Sequence, residues 1–165
     1  IVTSPVLPML MRNMTIPRFK AKYIISDSAR EARKYGVPFG KIKSPLGKPA
    51  EKAYSLFPWV DEEKQGFEYI YRLMKSSFRK SEDIGKKTYL KKLIEDLGLN
   101  WAEAEKYLNS NDWKEILEKN RLIMYEGYSW GVPTFRIVDG EENFTTWGQD
   151  RIWLVEDEII KRLNQ

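Results

Sequence analysis

The hydrophobic period of this chain shifts from helical to extended after Gly127. From Arg18 to Gly127, outside one proline-rich stretch, apolar residues recur at the spacing of helices. After Gly127 two β-branched and aromatic runs follow, Thr134 to Val138 and Asn143 to Trp147, separated by the strong turn signal Asp139-Gly140. That pattern predicts a β-hairpin placed after a long helical segment. The only other extended signal is Ile1 to Leu7, β-branched and apolar with Pro5 inside it, which reads as an edge or terminal strand entering a loop.

Within the helical part, Phe19, Tyr23, Ile24, Ala29 and Ala32 predict a helix from Arg18 to Tyr35, stopped by Gly36 and Pro38. Val37 to Trp59 carries Pro38, Pro45, Pro49 and Pro58 with Gly40 and Gly47, so it reads as a loop with one short helix, Lys48 to Tyr54. Phe67, Ile70, Tyr71, Met74 and Phe78 give the clearest helix, with Asp61 as a suitable N-cap. Lys86 to Leu97 follows with Leu90, Leu93, Ile94 and Leu97 on one face and Gly98 as C-cap. Asn100 and Glu103 resemble a capping box opening a short helix through Leu108. A further helix, capped by Asp112, carries Trp113, Ile116, Leu117 and Met124 and ends at Gly127. Beyond the hairpin, Gly148 breaks the strand, Asp150 can cap a last helix, and Ile152, Val155, Ile159 and Leu163 form its apolar stripe.

Composition narrows the chemistry. The 165 residues contain no cysteine and no histidine, so within them a disulfide, a thiolate zinc site, a cysteine nucleophile and an imidazole base are excluded. Any catalysis uses hydroxyls, carboxylates, amines, backbone dipoles or a bound cofactor. With 42% hydrophobic residues and 6 Trp, 9 Tyr and 7 Phe, the chain is built to fold around a core. A net charge of +4 is too small and too scattered to indicate a nucleic-acid partner. No apolar run approaches the roughly 18 residues of a spanning helix, so no membrane partner is expected. The chain opens Ile1-Val2-Thr3 without an initiator Met, which raises processing or truncation at its front.

Two stretches near the C-terminus stand out as a pair: Trp130-Gly131-Val132-Pro133-Thr134-Phe135 and Thr146-Trp147-Gly148-Gln149-Asp150-Arg151. Gly-Val-Pro-Thr leading into a strand, then a hairpin, then aromatic-Gly-polar-Asp-Arg opening a final helix, resembles the thioredoxin-fold group of 2-hydroxychromene-2-carboxylate isomerases, kappa-class glutathione transferases and DsbA-like oxidoreductases. The Trp-Gly-Gln-Asp-Arg form is most similar to the isomerases. Upstream, Lys20-Ala21-Lys22-Tyr23, then Asp27 and Arg30, then Tyr35-Gly36-Val37-Pro38-Phe39, also resembles that branch.

The resemblance implies an α/β thioredoxin-like fold with an inserted all-helical domain. Residues 1–12 would be a residual thioredoxin strand and loop, 13–127 the inserted helical domain, and 128–165 the C-terminal thioredoxin portion. It further implies that Pro133 is the fold's cis-proline, with the Val132 N–H and C=O turned outward as a strand edge for the backbone of glutathione. Taken alone, Pro133 is equally an ordinary trans proline starting an edge strand. Gln149 and Asp150 would hold the γ-glutamyl end at the start of the last helix, although Asp150 taken alone is simply a helix cap. Gly131, Gly148 and Arg151 would support the loops. Lys20 would pair the glycyl carboxylate and Asn13 a neighbouring contact, against the alternative that Lys20 is a solvated helix lysine. Tyr23 and Trp147 would line the pocket for a small aromatic substrate, or else be core. The basic clusters Arg79-Lys80, Lys86-Lys87 and Lys91-Lys92 read as one solvated face, with an anionic partner as the lesser alternative.

The sequence departs from the family at its front. The strand and helix that carry the family's nucleophile, Ser or Cys followed by Pro, have no counterpart here, because Ser4-Pro5 stands too close to the helical segment. No catalytic residue is assigned within the chain. The resemblance therefore points to a longer glutathione-dependent isomerase or transferase, acting by reversible thiol addition to a ring-opened aromatic acid, with a DsbA-like thiol-disulfide oxidoreductase as the alternative. A shortened, non-catalytic relative binding glutathione or a peptide is the other reading. A homodimer is expected by the same resemblance, a cytoplasmic location is the default with the absence of Cys in its favour, and a helical module binding acidic partners through the Lys-rich face is the reading from a different class.

Overall fold

Five residues from three different helices, Tyr69, Leu73, Leu90, Ile94 and Leu117, are wholly shielded from solvent and belong to one buried cluster. Side chains of that size each stabilise the folded state by about 1.5–3 kcal/mol when fully buried, so this cluster is the centre of gravity of the fold. The structure is a computed structural model; it describes every residue except Ile1, Asn13, Ser44, Glu141 and Gln165, and for Glu142 only the backbone.

The elements run α1 (Leu7–Met11), α2 (Arg18–Lys34), α3 (Lys48–Tyr54), α4 (Phe57–Glu62), α5 (Gly66–Lys75), α6 (Lys87–Asp96), α7 (Trp101–Ala104), α8 (Asp112–Glu126), β1 (Thr134–Asp139), β2 (Glu142–Trp147) and α9 (Ile152–Leu163). A π turn, Ser76–Lys80, continues α5, a 3-10 turn, Glu105–Tyr107, continues α7, and a second, Gln149–Arg151, leads into α9. The strands pair antiparallel from Thr134 opposite Trp147 to Asp139 opposite Glu142, as the Asp139-Gly140 turn requires. Gly140 sits at φ +58, the left-handed region such a turn demands.

Several expectations are corrected. Residues 2–6 form no strand and Leu7 opens a helix instead; the only strand ladder among the described residues joins β1 and β2, and an isolated extended segment has no partner for its backbone. The proline-rich stretch contains α4 as well as α3, because Pro58 falls in the first turn of α4, where its missing N–H would be unpaired anyway. Asp61 consequently lies inside α4, and α5 starts at Gly66. The backbone turns between them at Lys64, φ +63.

The helix expected from the stripe Phe67 to Phe78 is present as α5 and its π turn. Its core-facing residues are Gly66, Tyr69 and Leu73, while Phe67 and Tyr71 are exposed. Ile70 and Met74 of the periodic stripe are partly buried and pack against the cluster, so the stripe runs along its edge and only Phe67 and Tyr71 reach well into solvent. Asn100 caps α7 by accepting the Ala102 N–H at 2.9 Å rather than through Glu103. Asp112 is the first helical residue of α8, with Asn111 at the N-cap and no side-chain cap bond.

The Lys-rich face is partly neutralised: Lys87 pairs with Glu105, Lys91 with Glu95 at 3.8 Å and Lys92 with Asp96 at 2.7 Å. Surface pairs of this kind add little stability. Hairpin and final helix contribute no residue to the buried cluster. In α9, Ile152, Trp153, Ile159, Ile160 and Leu163 are all exposed.

Candidate functional site

The hairpin begins in a tightly tied loop. Ser129, 4% exposed, shares a 2.6 Å hydrogen bond with the Thr134 hydroxyl, which donates at 2.6 Å to the Gly131 carbonyl. These bonds close a small ring of chain around residues 129–134. Inside it the Val132–Pro133 peptide bond is cis. The Pro133 carbonyl accepts the Gly148 N–H at 3.0 Å, which hooks the turn before α9 onto the loop before β1. Sequence positions fifteen apart are thereby brought together at one end of the hairpin.

Val132 is 43% exposed, and neither its N–H nor its C=O takes part in a hydrogen bond among the described residues. Both groups stand just before the first ladder pair, so they are a donor and an acceptor available to an added extended chain.

The two glycines have steric reasons. A Cβ on Gly131 would lie 2.5 Å from the Trp147 Nε1, so only glycine lets the indole cover the loop. Trp147 and Trp130 pack together there, their rings 5.1 Å apart and tilted by 38°. Gly148 has φ +110, and a Cβ on it would come 2.5 Å from the Asp150 Oδ1.

Asp150 does not cap the last helix. Its carboxylate accepts from Arg151 Nη1 at 2.5 Å, and the helix proper begins two residues later, after the 3-10 turn held by the Arg151 N–H donating to Gly148 C=O at 3.1 Å. Asp150 is exposed and so is Arg151. A ligand ammonium can therefore reach the carboxylate only by sharing it with the guanidinium.

Gln149 and Asp150 also belong to the wall of a cavity of about 810 Å³. Its other walls come from the second half of α2 with Tyr35, the following loop with Phe39, α5 and the π turn with Tyr71 and Phe78, and Trp153 of α9. Periodicity marks Tyr71 and Phe78 as apolar positions of a helix without saying what covers them, so it does not by itself find these aromatics in a cavity wall. The signal that finds them is an apolar stripe on one helix broader than a core requires.

Lys20 and Tyr23 are exposed on the first half of α2 and lie outside this cavity. The Tyr23 ring has the Arg30 guanidinium 6.0 Å from its centre. Asn13 lies outside the described residues. The structure thus gathers Gly131, Val132, Pro133, Trp147, Gly148, Gln149, Asp150 and Arg151 at one place. Among the described residues there is no group of three or more acidic ligands suited to a metal, and no helix long and apolar enough to cross a membrane.

Comparison with known proteins agrees with this architecture. Residues 5–160 match the family model of the DSBA-like thioredoxin domain. The chain belongs to that family, and its fold is the DsbA-like thioredoxin fold in a helix-rich form. Among solved structures, a 2-hydroxychromene-2-carboxylate isomerase superposes with a TM-score of 0.71 at 20% identity, covering 96% of this chain and 77% of that one. The cytosolic disulfide reductase DsbM of Pseudomonas aeruginosa gives 0.66 at 21% identity, covering 92% and 81%. A putative protein disulfide isomerase of Nitrosomonas europaea gives 0.68 at 17% identity, covering 91% and 78%. No curated protein sequence matches the chain.

Proposed function

We propose that the loop 131–133 and the turn 148–151 hold glutathione, and that the protein is a glutathione-dependent isomerase of the 2-hydroxychromene-2-carboxylate type or a kappa-class-like transferase. The observation that carries this reading is the Val132 backbone, whose N–H and C=O are both unengaged beside the cis Val132–Pro133 bond. The residues present fit the group. Val132 would pair with the cysteinyl backbone, Asp150 would take the γ-glutamyl ammonium in competition with Arg151, and Gln149 offers an amide for the adjoining carboxylate.

Bound glutathione would supply the thiol that the 165 residues lack. The part of the protein described here positions it: the Thr134 and Gly148 hydrogen bonds fix the loop, and the Trp130–Trp147 pair shields one side. The likeness to a disulfide reductase supports a second reading, a thiol-disulfide oxidoreductase that would lay a substrate peptide along the same Val132 edge. A cytoplasmic setting suits either reading.

Calorimetric titration with glutathione tests the proposal. Saturable binding is expected, weakened about ten- to a hundredfold by Asp150→Asn, the loss of one charge-assisted hydrogen bond of about 1.5–3 kcal/mol. Glutathione-dependent isomerisation of 2-hydroxychromene-2-carboxylate would then separate the first reading from disulfide reduction without glutathione. Absence of glutathione binding would overturn both the isomerase and the transferase assignment.

A further inference from the structure

The cavity beside the glutathione residues is built by an unusual element. In the π turn Ser76–Lys80 the helix widens, and the Ser77 and Phe78 carbonyls accept hydrogen bonds from outside the helix, from the N–H groups of Lys43 at 3.0 Å and Gly40 at 2.8 Å. Those two bonds pin the loop carrying Phe39 against the helix, and the Phe39 and Phe78 rings stack 6.2 Å apart at 23°. With Tyr35, Tyr71 and Trp153 they make an aromatic chamber whose volume of about 810 Å³ falls in the range of small-molecule sites.

Its charge is unevenly arranged. Lys75 holds its ammonium 5.5 Å over the Tyr71 ring, and Arg79 stands four residues further on in the same wall. Neither cation has an acidic partner among the described residues, whereas Lys87, Lys91, Lys92 and Lys106 of the neighbouring helices are all ion-paired. On α2, Glu31 is a carboxylate in the same cavity, and the charge of Asp150 is met by Arg151. An anion entering this chamber is drawn to the α5 side and repelled from Glu31, so its orientation is set.

We propose that this chamber receives the aromatic acid, and that Lys75 and Arg79 are the residues that select its carboxylate. The inference depends on the glutathione reading for its place in a reaction and stands without it as a binding site.

The test is a protein-observed NMR titration with trans-cinnamate, a planar aromatic carboxylate, and with trans-cinnamamide, its uncharged counterpart. Cinnamate is expected to shift the Gly40 amide and the Trp153 indole N–H and to bind more tightly than the amide. Replacing both cations, Lys75→Ala with Arg79→Ala, should raise the cinnamate dissociation constant at least about tenfold and leave that of cinnamamide unchanged, and Lys75→Arg with Arg79→Lys should restore it. Both side chains are exposed, so the variants keep the core intact. Equal affinities for acid and amide, an unchanged constant in the double alanine variant, shifts confined to the hairpin, or no saturable binding would each overturn the proposal. Glutathione titrated into the same sample reports on Val132 and Gly148, so its failure to bind while cinnamate still fills the chamber would sink the glutathione reading alone.

Discussion

Tyr69 shows how far one residue can depart from the pattern around it. It lies off the apolar stripe of α5, yet it has no solvent exposure, and its hydroxyl donates to the Ala53 carbonyl at 2.7 Å. Burial pushes its phenol well above the ordinary value, with smaller contributions from Tyr89 and Tyr54, and pushes Tyr54 up to about 12. Such a phenol stays protonated in the folded chain but ionises in the unfolded one from about pH 10. The unfolded state then binds fewer protons, so stability is full below pH 10 and falls as the pH rises toward 12 and beyond. Urea midpoints should therefore be level from pH 7 to 9 and decline above 10, less steeply in Tyr54→Phe and Tyr69→Phe. At neutral pH, Tyr69→Phe should cost about 1 kcal/mol in the same measurement, the value of one hydrogen bond. A pH-independent midpoint would contradict the burial of both rings. The site was more legible at this scale: Gly131, Pro133, Gly148 and Asp150 stand in recognisable strings, and each has a local steric or polar duty that its residue type announces.

Among elements, the π turn could not be read from the string Ser76-Ser77-Phe78-Arg79-Lys80, which is ordinary helix sequence. Its extra residue per turn is stabilised by partners 34 and 38 positions upstream, the Lys43 and Gly40 N–H groups. Gly40 is glycine because a Cβ there would lie 2.4 Å from the Arg79 carbonyl oxygen. Gly40→Ala should force loop and turn apart, lowering stability by about 1–3 kcal/mol in thermal denaturation and weakening cinnamate binding. Unchanged melting would show that the close approach relaxes at no cost. Helix ends were easier to read, since Gly98 at φ +76 and the Asn100 cap work within a few residues of themselves. Leu7–Met11 was missed for the converse reason: whether a short apolar run is strand or helix depends on a ladder partner that its own residues do not specify.

Taken whole, the molecule concentrates its buried cluster in α3 to α8 with Met9, while among the described residues the hairpin and α9, which carry the candidate-site loops, contribute none of it. Amide hydrogen exchange should reflect this division. Core amides at Tyr69, Leu73, Leu90 and Ile94 are expected to exchange only with global unfolding, and those of β1, β2 and α9 through easier local opening. Uniform protection across the chain would refute it.

Hydrophobic period, turn residues and caps determined by themselves where the main helices and the hairpin lie, because those signals act over a few residues. The family resemblance carried by the two motifs also grouped Val132 and Pro133 with Gly148 to Arg151, and the Gly148 N–H donated to the Pro133 carbonyl joins those two loops. Tertiary structure alone decided which face of α5 is core and which is cavity wall, and that a π turn binds a distant loop. These depend on which surfaces meet across long sequence separations, and an amphipathic stripe records that a face is apolar without recording what covers it.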